Sequence, residues 1–229
     1  SGSGSEFSVE LTQAKSLSPR ARGLRLRVLD PALDWQPGQY LELSLDGSSP
    51  PLPYSIASAP SPTQPGEFDL AISRSALAPD LAVGAVLQAR GPYGSLLRRQ
   101  PRGAPLLLVA GGTGLAPLRA LLQDEFARGG TGPVTLLFGC RNEAEILWRQ
   151  ELEALSASES RFRFEPSLSR AEHAWTGRRG YVQLHLPELL DAMPGAEVYL
   201  CGLSEMVKEC RALLTARGQP PELIIGEAY

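Results

Sequence analysis

Long apolar runs and a large excess of either charge are both missing from this sequence. No apolar stretch approaches the ~20 residues that a membrane helix requires, and no signal-peptide pattern is present. The formal net charge is only −3 over 229 residues, so no broad field favours nucleic acid or an anionic membrane as a partner. We therefore expect a cytoplasmic protein with no membrane span and no nucleic-acid partner.

Cysteine and histidine are also scarce. The three cysteines, Cys140, Cys201 and Cys210, include no Cys-x-x-Cys pair. This argues against a disulfide framework, a zinc site or a [2Fe–2S] cluster, and it fits a reducing compartment. His173 and His185 are isolated, so we interpret both as surface or structural residues rather than catalytic ones. No metal site is predicted.

The chain length suits two domains of roughly 100 residues each. Residues 1–7 are rich in serine and glycine and are interpreted as an expression linker, so the natural chain is expected to begin near residue 8 or to be part of a longer one. A basic stretch broken by Pro101 and Gly103 follows the first half of the chain. The predicted domains are therefore 8–100 and 101–229.

The two halves differ in hydrophobic pattern. In the first half, short segments alternate apolar and polar residues between prolines and glycines, which predicts an antiparallel sandwich or barrel. These segments are 24–28, 40–45, 68–72 and 86–90. In the second half, continuous apolar strands alternate with helical patterns, which predicts a doubly wound parallel sheet. Its strands are 106–110, 134–138, 198–201 and 223–225, and its helices are 116–127, 143–155 and 204–217.

A glycine-rich turn, Gly111-Gly112-Thr113-Gly114, lies between a predicted buried strand and a predicted helix. Glycines there let a pyrophosphate approach the backbone, and the helix N-terminus offers free N–H groups. Pro117 fits the first helical turn because its missing N–H costs nothing there. A tight turn with no ligand remains the alternative for this motif alone.

Six short motifs follow one another along the chain. They are PGQY at 37–40, PYSIAS at 53–58, GPYG at 91–94, GGTGLAP at 111–117, FGCR at 138–141 and YLCG at 199–202. In this order they resemble the ferredoxin–NADP reductase family over about residues 9–229. The resemblance implies an antiparallel flavin-binding β-barrel followed by a doubly wound nicotinamide-binding α/β domain. The implied activity is that of a flavin-dependent NAD(P)H oxidoreductase.

The resemblance also assigns site residues. Tyr54 is expected to pack against the flavin ring and Ser55 to hydrogen-bond near its N5 atom, while Cys201 borders the nicotinamide; Ser55 and Cys201 are the predicted catalytic residues. The turn at 111–114 is expected to hold the dinucleotide pyrophosphate. The other residues assigned to cofactor binding are Pro53, Ile56, Gly91, Tyr93, Gly94, Arg141, Ser169, Arg170, Gly202, Glu227 and Tyr229. An ordinary strand aromatic at Tyr54 and a buried apolar cysteine at Cys201 are the alternatives, and Cys210 is assigned to the core.

Two further features concern the nucleotide ends of the cofactors. Ser169-Arg170 resembles the family segment that meets the adenosine, where an arginine favours NADPH over NADH through the 2′-phosphate. The family arginine that binds the flavin phosphate is replaced by Leu52, which offers no charge. We hypothesise that Arg74, beside Ser75, supplies that charge from another direction.

These departures leave several functions open. The leading hypothesis is an enzyme with FAD, or alternatively FMN, that passes electrons to an iron–sulfur protein or an oxygenase component. Because Leu52 weakens the grip on the flavin tail, flavin could itself be a loosely bound substrate. The ending Gly226-Glu227-Ala228-Tyr229 also resembles flavin reductases, and Tyr229 is a candidate to cover the flavin ring, with a frayed terminus as the alternative. An electron-transfer subunit of a larger complex and a regulatory protein without flavin are further alternatives.

Overall fold

Two six-stranded sheets organise the residues that the computed structural model describes, namely 4–30, 33–77, 81–96, 98 and 103–229. The first sheet contains β1 (Ser5–Ser18), β2 (Ala21–Asp30), β3 (Tyr40–Leu43), β4 (Leu52–Ser55), β5 (Glu67–Ser73) and β6 (Val86–Tyr93). Its strands lie in the order β4-β3-β6-β1-β2-β5, and each neighbouring pair is antiparallel. The predicted antiparallel first domain is confirmed.

The first sheet curls into a barrel. The two outer strands, β4 and β5, contact each other, and the Ala57 N–H just beyond β4 donates to the Asp69 carbonyl oxygen of β5 at 2.8 Å. Alternate residues point inward and are buried, as the two-residue period of a strand requires; Leu24 and Leu26 of β2 are examples. Trp35 packs edge-on against Phe68 in this core.

The first residues of the chain belong to this barrel. Strand β1 begins at Ser5, Phe7 is only 4% exposed in the barrel core, and Glu6 forms an ion pair with Arg90 of β6. Residues 5–7 of the predicted linker therefore pack as part of the barrel, with the Phe7 side chain in its core, while the assignment of residues 1–7 to an expression linker stays a prediction. Residues 1–3 lie outside the described residues.

The second sheet is parallel throughout. It contains β7 (Leu106–Gly111), β8 (Val134–Cys140), β9 (Phe162–Leu168), β10 (Arg178–Arg179), β11 (Glu197–Gly202) and β12 (Ile224–Ala228). Its order is β10-β9-β8-β7-β11-β12. The helices are α1 (Leu115–Ala127), α2 (Arg149–Ser158), α3 (Leu186–Asp191) and α4 (Ser204–Ala216). The doubly wound prediction is confirmed, and β7 is buried on both faces as its apolar run predicts.

Two details of this domain differ from the predicted elements. The helix predicted at 143–155 begins only at Arg149, because Trp148 adopts a left-handed conformation with φ of 50°. Strands β9 and β10 and helix α3 were not predicted. The predicted boundary between the domains falls between β6 and β7, although residues 99–102 lie outside the described residues, so the domain limits remain a prediction.

Candidate active site

The glycine turn lies at the carboxyl edge of the parallel sheet, where ligands of such sheets bind. It leaves β7 at Gly111, forms one 3₁₀ turn over Gly112–Gly114 and leads directly into α1. Gly112 has a φ of +54°, which favours glycine. A Cβ atom at Gly114 would overlap the carbonyl oxygen of Cys201, so a side chain is excluded there. The glycines thus let α1 begin against the end of β11.

Tyr229, which is 55% exposed, lies with its hydroxyl against this turn. The Tyr229 hydroxyl accepts a hydrogen bond from the Gly114 N–H at 3.1 Å and donates one to the Gly111 carbonyl oxygen at 2.9 Å. The Tyr229 N–H donates to the Gly202 carbonyl oxygen at 3.2 Å. Burial of this hydroxyl raises the pKa of Tyr229. The prediction that Tyr229 covers a flavin ring stays a prediction, since its hydroxyl lies here on the glycine turn.

Cys201 and Glu227 are register neighbours on β11 and β12. Burial, together with the nearby Glu227 carboxylate, raises the pKa of Cys201 to about 12, so its sulfur is a neutral thiol at physiological pH. Burial also raises the pKa of Glu227, whose carboxylate has no ion pair within the described ranges. The site therefore brings together a neutral thiol and a carboxyl group that takes up a proton more readily than an exposed glutamate.

Met206 is a site residue that the sequence analysis missed. It lies in the first turn of α4, with its Sδ atom 2.7 Å from where a Cβ at Gly111 would be and 3.0 Å from the corresponding position at Gly202. The thioether thus covers the ends of β7 and β11. The only sequence signal was its position shortly after the YLCG motif.

The barrel contributes Tyr54 and Ser55, which are half-buried on its edge strand β4. In the described part of the chain, neither hydroxyl has a hydrogen-bond partner, and burial raises the pKa of Tyr54. Pro53 is exposed beside them. Ile56 is fully buried in the barrel core, so its side chain does not face a ligand, and the predicted cofactor contact is not supported for that side chain.

A cavity of about 360 Å³ lies between the barrel and the edge strand β12 of the parallel sheet. Tyr40, Gly94 and Leu96 line its barrel side, and Arg211 and Glu227 line the other side. The GPYG motif is shaped for this position, since a Cβ at Gly94 would approach the Tyr40 ring to 3.0 Å. The Tyr40 ring also packs against Tyr93, the third residue of that motif, with ring centres 5.6 Å apart. Of the predicted Gly91, Tyr93 and Gly94, only Gly94 lines the cavity, whereas Tyr93 packs behind Tyr40 and Gly91 lies against Leu41.

The residues predicted to hold the flavin tail lie elsewhere on the barrel surface. Leu52 is 53% exposed at the start of β4. Arg74 follows β5, the strand that contacts β4, and its Nη2 donates to the Ser16 hydroxyl at 2.8 Å. The hydroxyls of Ser75 and Ser73 are 2.9 Å apart. Arg74 is exposed, which leaves its remaining donors accessible to an anion.

The arginines near the predicted adenosine end divide into two groups. Arg178 pairs with Glu165 and Glu188, and Arg179 donates to carbonyl oxygens of the 171–175 loop. Both side chains are therefore engaged within the protein. The predicted Arg141 and Arg170 instead are exposed and have no ion pair to any described residue.

Two loops present these free arginines together. The Ser169 N–H donates to the Cys140 carbonyl oxygen, and the Arg170 N–H donates to that of Arg141 at 2.8 Å. The loops after β8 and β9 therefore run side by side. Tyr181, 69% exposed just beyond β10, adds an accessible aromatic ring at this edge that the sequence analysis missed.

Comparison with known proteins identifies the family. The chain is 41% identical over 228 residues to "Ferredoxin--NADP reductase B" of Sorangium cellulosum, covering 93% of this chain and 92% of that protein. The chain belongs to the ferredoxin–NADP reductase family. The family model "Oxidoreductase NAD-binding domain" matches residues 108–212. As a member, the chain is an NAD(P)H-dependent flavin oxidoreductase, with FAD and a nicotinamide dinucleotide as its cofactors.

Some other proteins similar to this reductase are longer. It is 32% identical to the phenol 2-monooxygenase reductase component DmpP of Pseudomonas sp., covering 83% of this chain but 56% of that protein. The crystal structure of the Amycolatopsis cytochrome P450 reductase GcoB superposes with a TM-score of 0.89 at 25% identity, covering 98% of this chain and 70% of that one. Among the described residues, no helix is long and apolar enough to cross a membrane, and no cluster of histidine, cysteine and acidic residues could hold a metal ion.

Proposed function

We propose that this reductase takes hydride from NADPH onto FAD and passes the electrons to a separate iron–sulfur protein or oxygenase component. The observation that carries the proposal is the cavity of about 360 Å³ that Tyr40 and Gly94 of the barrel line together with Glu227 of the parallel sheet. Tyr40 pairs in register with Ser55, which follows Tyr54 on β4. Glu227 pairs in register with Cys201, whose backbone lies against Gly114 of the glycine turn. The names of relatives such as DmpP support an oxygenase partner.

The barrel residues fit the ring end of a flavin. When bound, the flavin supplies the N5 atom that accepts hydride from nicotinamide C4. Tyr54 offers a half-buried aromatic face for stacking, and the Ser55 hydroxyl is free to donate a hydrogen bond to a ring nitrogen. Glu227, with its raised pKa, is suited to hold a proton close to the ring. Leu52 has no positive charge and no hydrogen-bond donor for a phosphate, so the barrel fits the phosphate tail of the flavin less well than its ring.

The parallel sheet fits the dinucleotide. The Gly114 N–H and the N-terminus of α1 are donors for a pyrophosphate once the Tyr229 hydroxyl leaves them. Cys201 is a neutral thiol, so we propose that it borders the nicotinamide as a small apolar wall and not as a nucleophile. Because Arg141 and Arg170 are exposed and form no ion pair with any described residue, they are suited to a 2′-phosphate, and Tyr181 is suited to stack on the adenine. We therefore propose NADPH over NADH.

A second candidate function is that of a flavin reductase that releases its flavin. Leu52 favours it, because the missing charge-assisted contact is worth about 1.5–3 kcal/mol, or roughly ten- to a hundredfold in affinity.

The cytoplasm remains the proposed compartment, since Cys140, Cys201 and Cys210 are all free.

One experiment separates the two candidates. The purified protein is passed through gel filtration, and its absorbance spectrum is recorded before and after NADPH is added. A flavin band that co-elutes and bleaches supports a bound cofactor and a protein acceptor. A colourless protein that oxidises NADPH only with added flavin supports the flavin reductase. Protein that is inactive with NADPH and NADH, with and without FAD, contradicts both.

A further inference from the structure

Arg119 is a buried arginine at the junction of the two domains. It lies in α1, five residues after Gly114, and is only 4% exposed. A buried guanidinium is stable only when its donors are paired, and here they are. Because α1 starts at the glycine turn, the partners of Arg119 show what holds that turn in place.

One side of the guanidinium contacts the barrel. Arg119 Nη1 donates to the Ala57 carbonyl oxygen at 2.9 Å and to Asp69 Oδ2 at 3.0 Å. Asp69 is itself held by Arg25, whose Nε donates to Oδ1 at 2.9 Å. Although burial alone would raise the pKa of Asp69, the hydrogen bond from Arg25 and the charge of Arg119 hold that pKa below its ordinary value, so the carboxylate is ionised at neutral pH. These bonds join α1 to the barrel.

The other side of the guanidinium contacts its own domain. Arg119 Nε and Nη2 donate to the two carboxylate oxygens of Glu151 at 2.7 and 2.6 Å, a bidentate geometry that fixes the plane of the group. The Trp148 ring lies 4.7 Å from the guanidinium carbon. Trp148 reaches this place from a left-handed backbone conformation that non-glycine residues rarely adopt. The Trp148 backbone is thus in an unfavourable conformation at the place where its ring contacts Arg119.

The barrel contact lies close to the flavin-ring strand. Ala57 follows Ser55 by two residues, and its own N–H closes the barrel through the Asp69 carbonyl oxygen. A single guanidinium therefore links the end of the Tyr54-Ser55 strand to the helix that begins at the glycine turn. A displacement at Arg119 would change the separation between these two surfaces.

We propose that Arg119 is a positioning residue for hydride transfer, which holds the strand of Ser55 and the helix of Gly114 at the separation that the reaction requires. The inference rests on the hydride transfer of the proposed function. Reacting atoms must approach to about 3–3.5 Å, and a misplacement of about 1 Å can cost about 100-fold in rate. Arg119 itself touches no cofactor in this assignment.

Three variants test the role. Arg119→Lys keeps the charge but cannot form the forked contacts, Arg119→Met removes the charge, and Asp69→Asn weakens the barrel partner. The matched control is Arg20→Met, which removes an exposed pair with Glu145 that also crosses between the domains. Each protein is saturated with FAD and NADPH or its C4-deuterated form, and flavin reduction is followed by stopped flow. Melting temperature and circular dichroism report folding.

We expect flavin reduction to slow by about 10- to 100-fold in Arg119→Lys and Asp69→Asn. The deuterium isotope effect should rise towards its full value, the KM for NADPH should stay within about twofold, and Arg20→Met should match the parent. A merely structural role would lower the melting temperature without changing the rate or isotope effect of the folded, saturated fraction, which would overturn the proposal. If Arg119→Met does not fold, the two milder variants decide. A parent that reduces no flavin overturns the proposed function, whereas an active parent with unaffected variants overturns only the role of Arg119.

Discussion

The hydroxyl of Tyr229 accepts a hydrogen bond from the Gly114 N–H of the glycine turn at 3.1 Å. The same hydroxyl donates to the Gly111 carbonyl oxygen, so both ends of the turn are bonded to one side chain. A pyrophosphate that uses this N–H has to displace the tyrosine. In the proposed binding mode, the Tyr229 side chain therefore competes with the dinucleotide.

Removing that side chain should tighten dinucleotide binding. In Tyr229→Ser we expect the Kd for NADP⁺ to fall roughly two- to tenfold, because one hydrogen bond is worth about 0.5–1.5 kcal/mol net. Isothermal titration measures the change. Tyr229→Phe is the matched variant, since it keeps the ring and loses only the hydroxyl. Unchanged affinity in both variants would contradict competition at the Gly114 N–H.

Glu227 should make stability depend on pH. Burial raises its pKa in the folded state, so the protonated form is favoured by folding. Its contribution to the free energy of unfolding is fully present below the unfolded pKa and is lost as pH rises through the folded pKa. We expect Glu227→Gln to exceed the parent in stability at pH 7 and to lose this advantage by pH 4. Urea unfolding from pH 4 to 8 measures the difference, and parallel curves would contradict the assignment.

Restoring a charge at position 52 should strengthen the hold on the flavin tail. Leu52→Arg is expected to lower the Kd for FAD and FMN by roughly ten- to a hundredfold, the worth of a charge-assisted hydrogen bond of about 1.5–3 kcal/mol. Fluorescence quenching of the free flavin measures binding. Riboflavin is the control ligand because it has no phosphate, and an equal gain for riboflavin would show that the effect does not come from the tail.

Arg74 offers the complementary test. If it supplies the missing charge, Arg74→Ala should weaken FAD binding by about tenfold while riboflavin binding stays unchanged. The matched control is Arg27→Ala, an exposed barrel arginine that pairs with Glu10. An Arg74→Ala protein that binds FAD as well as the parent would remove Arg74 from the flavin site.

Two glycines of the turn should respond differently to a methyl group. In Gly114→Ala the new Cβ meets the backbone of Cys201, which cannot move aside, so we expect a loss of about 1–3 kcal/mol in the free energy of unfolding. In Gly111→Ala the new Cβ meets only the sulfur of Met206, a flexible side chain, so the loss should be smaller. Both residues have negative φ, which removes backbone strain from the comparison. Equal losses would contradict the packing argument.

The sequence predicted most reliably where local pattern and topology agree. Strand β7 was predicted because it is apolar throughout, and the glycine turn and α1 follow it in the order that a parallel sheet requires. Strand β1 was missed because polar residues such as Gln13 and Lys15 interrupt its second half and Phe7 had been set aside. Strand β9 was missed because Arg163, Glu165 and Pro166 disguise its pattern.

Side-chain roles that depend on distant partners could not be predicted. Arg119 sits in a helix, where a solvent-exposed arginine is the ordinary expectation, and its partners Asp69 and Glu151 are 50 and 32 residues away along the chain. In the same way, the sequence did not predict that Arg178 and Arg179 bind partners within the protein. The motifs predicted which residue types belong to the site, whereas the pairing of side chains that are distant in sequence could be seen only in the structure.

The Arg119–Asp69 contact also bears on how such reductases can be recombined. A hybrid made by joining the barrel of one relative to the α/β half of another inherits the two partners from different parents. Without a carboxylate at position 69, the buried guanidinium would keep its pair with Glu151 but lose its charged partner in the barrel, which is costly for a charge removed from water. The barrel and the α/β half of two relatives are therefore interchangeable only if the hybrid contains both members of this pair. Any attempt to change the acceptor or coenzyme preference by domain exchange has to meet this requirement.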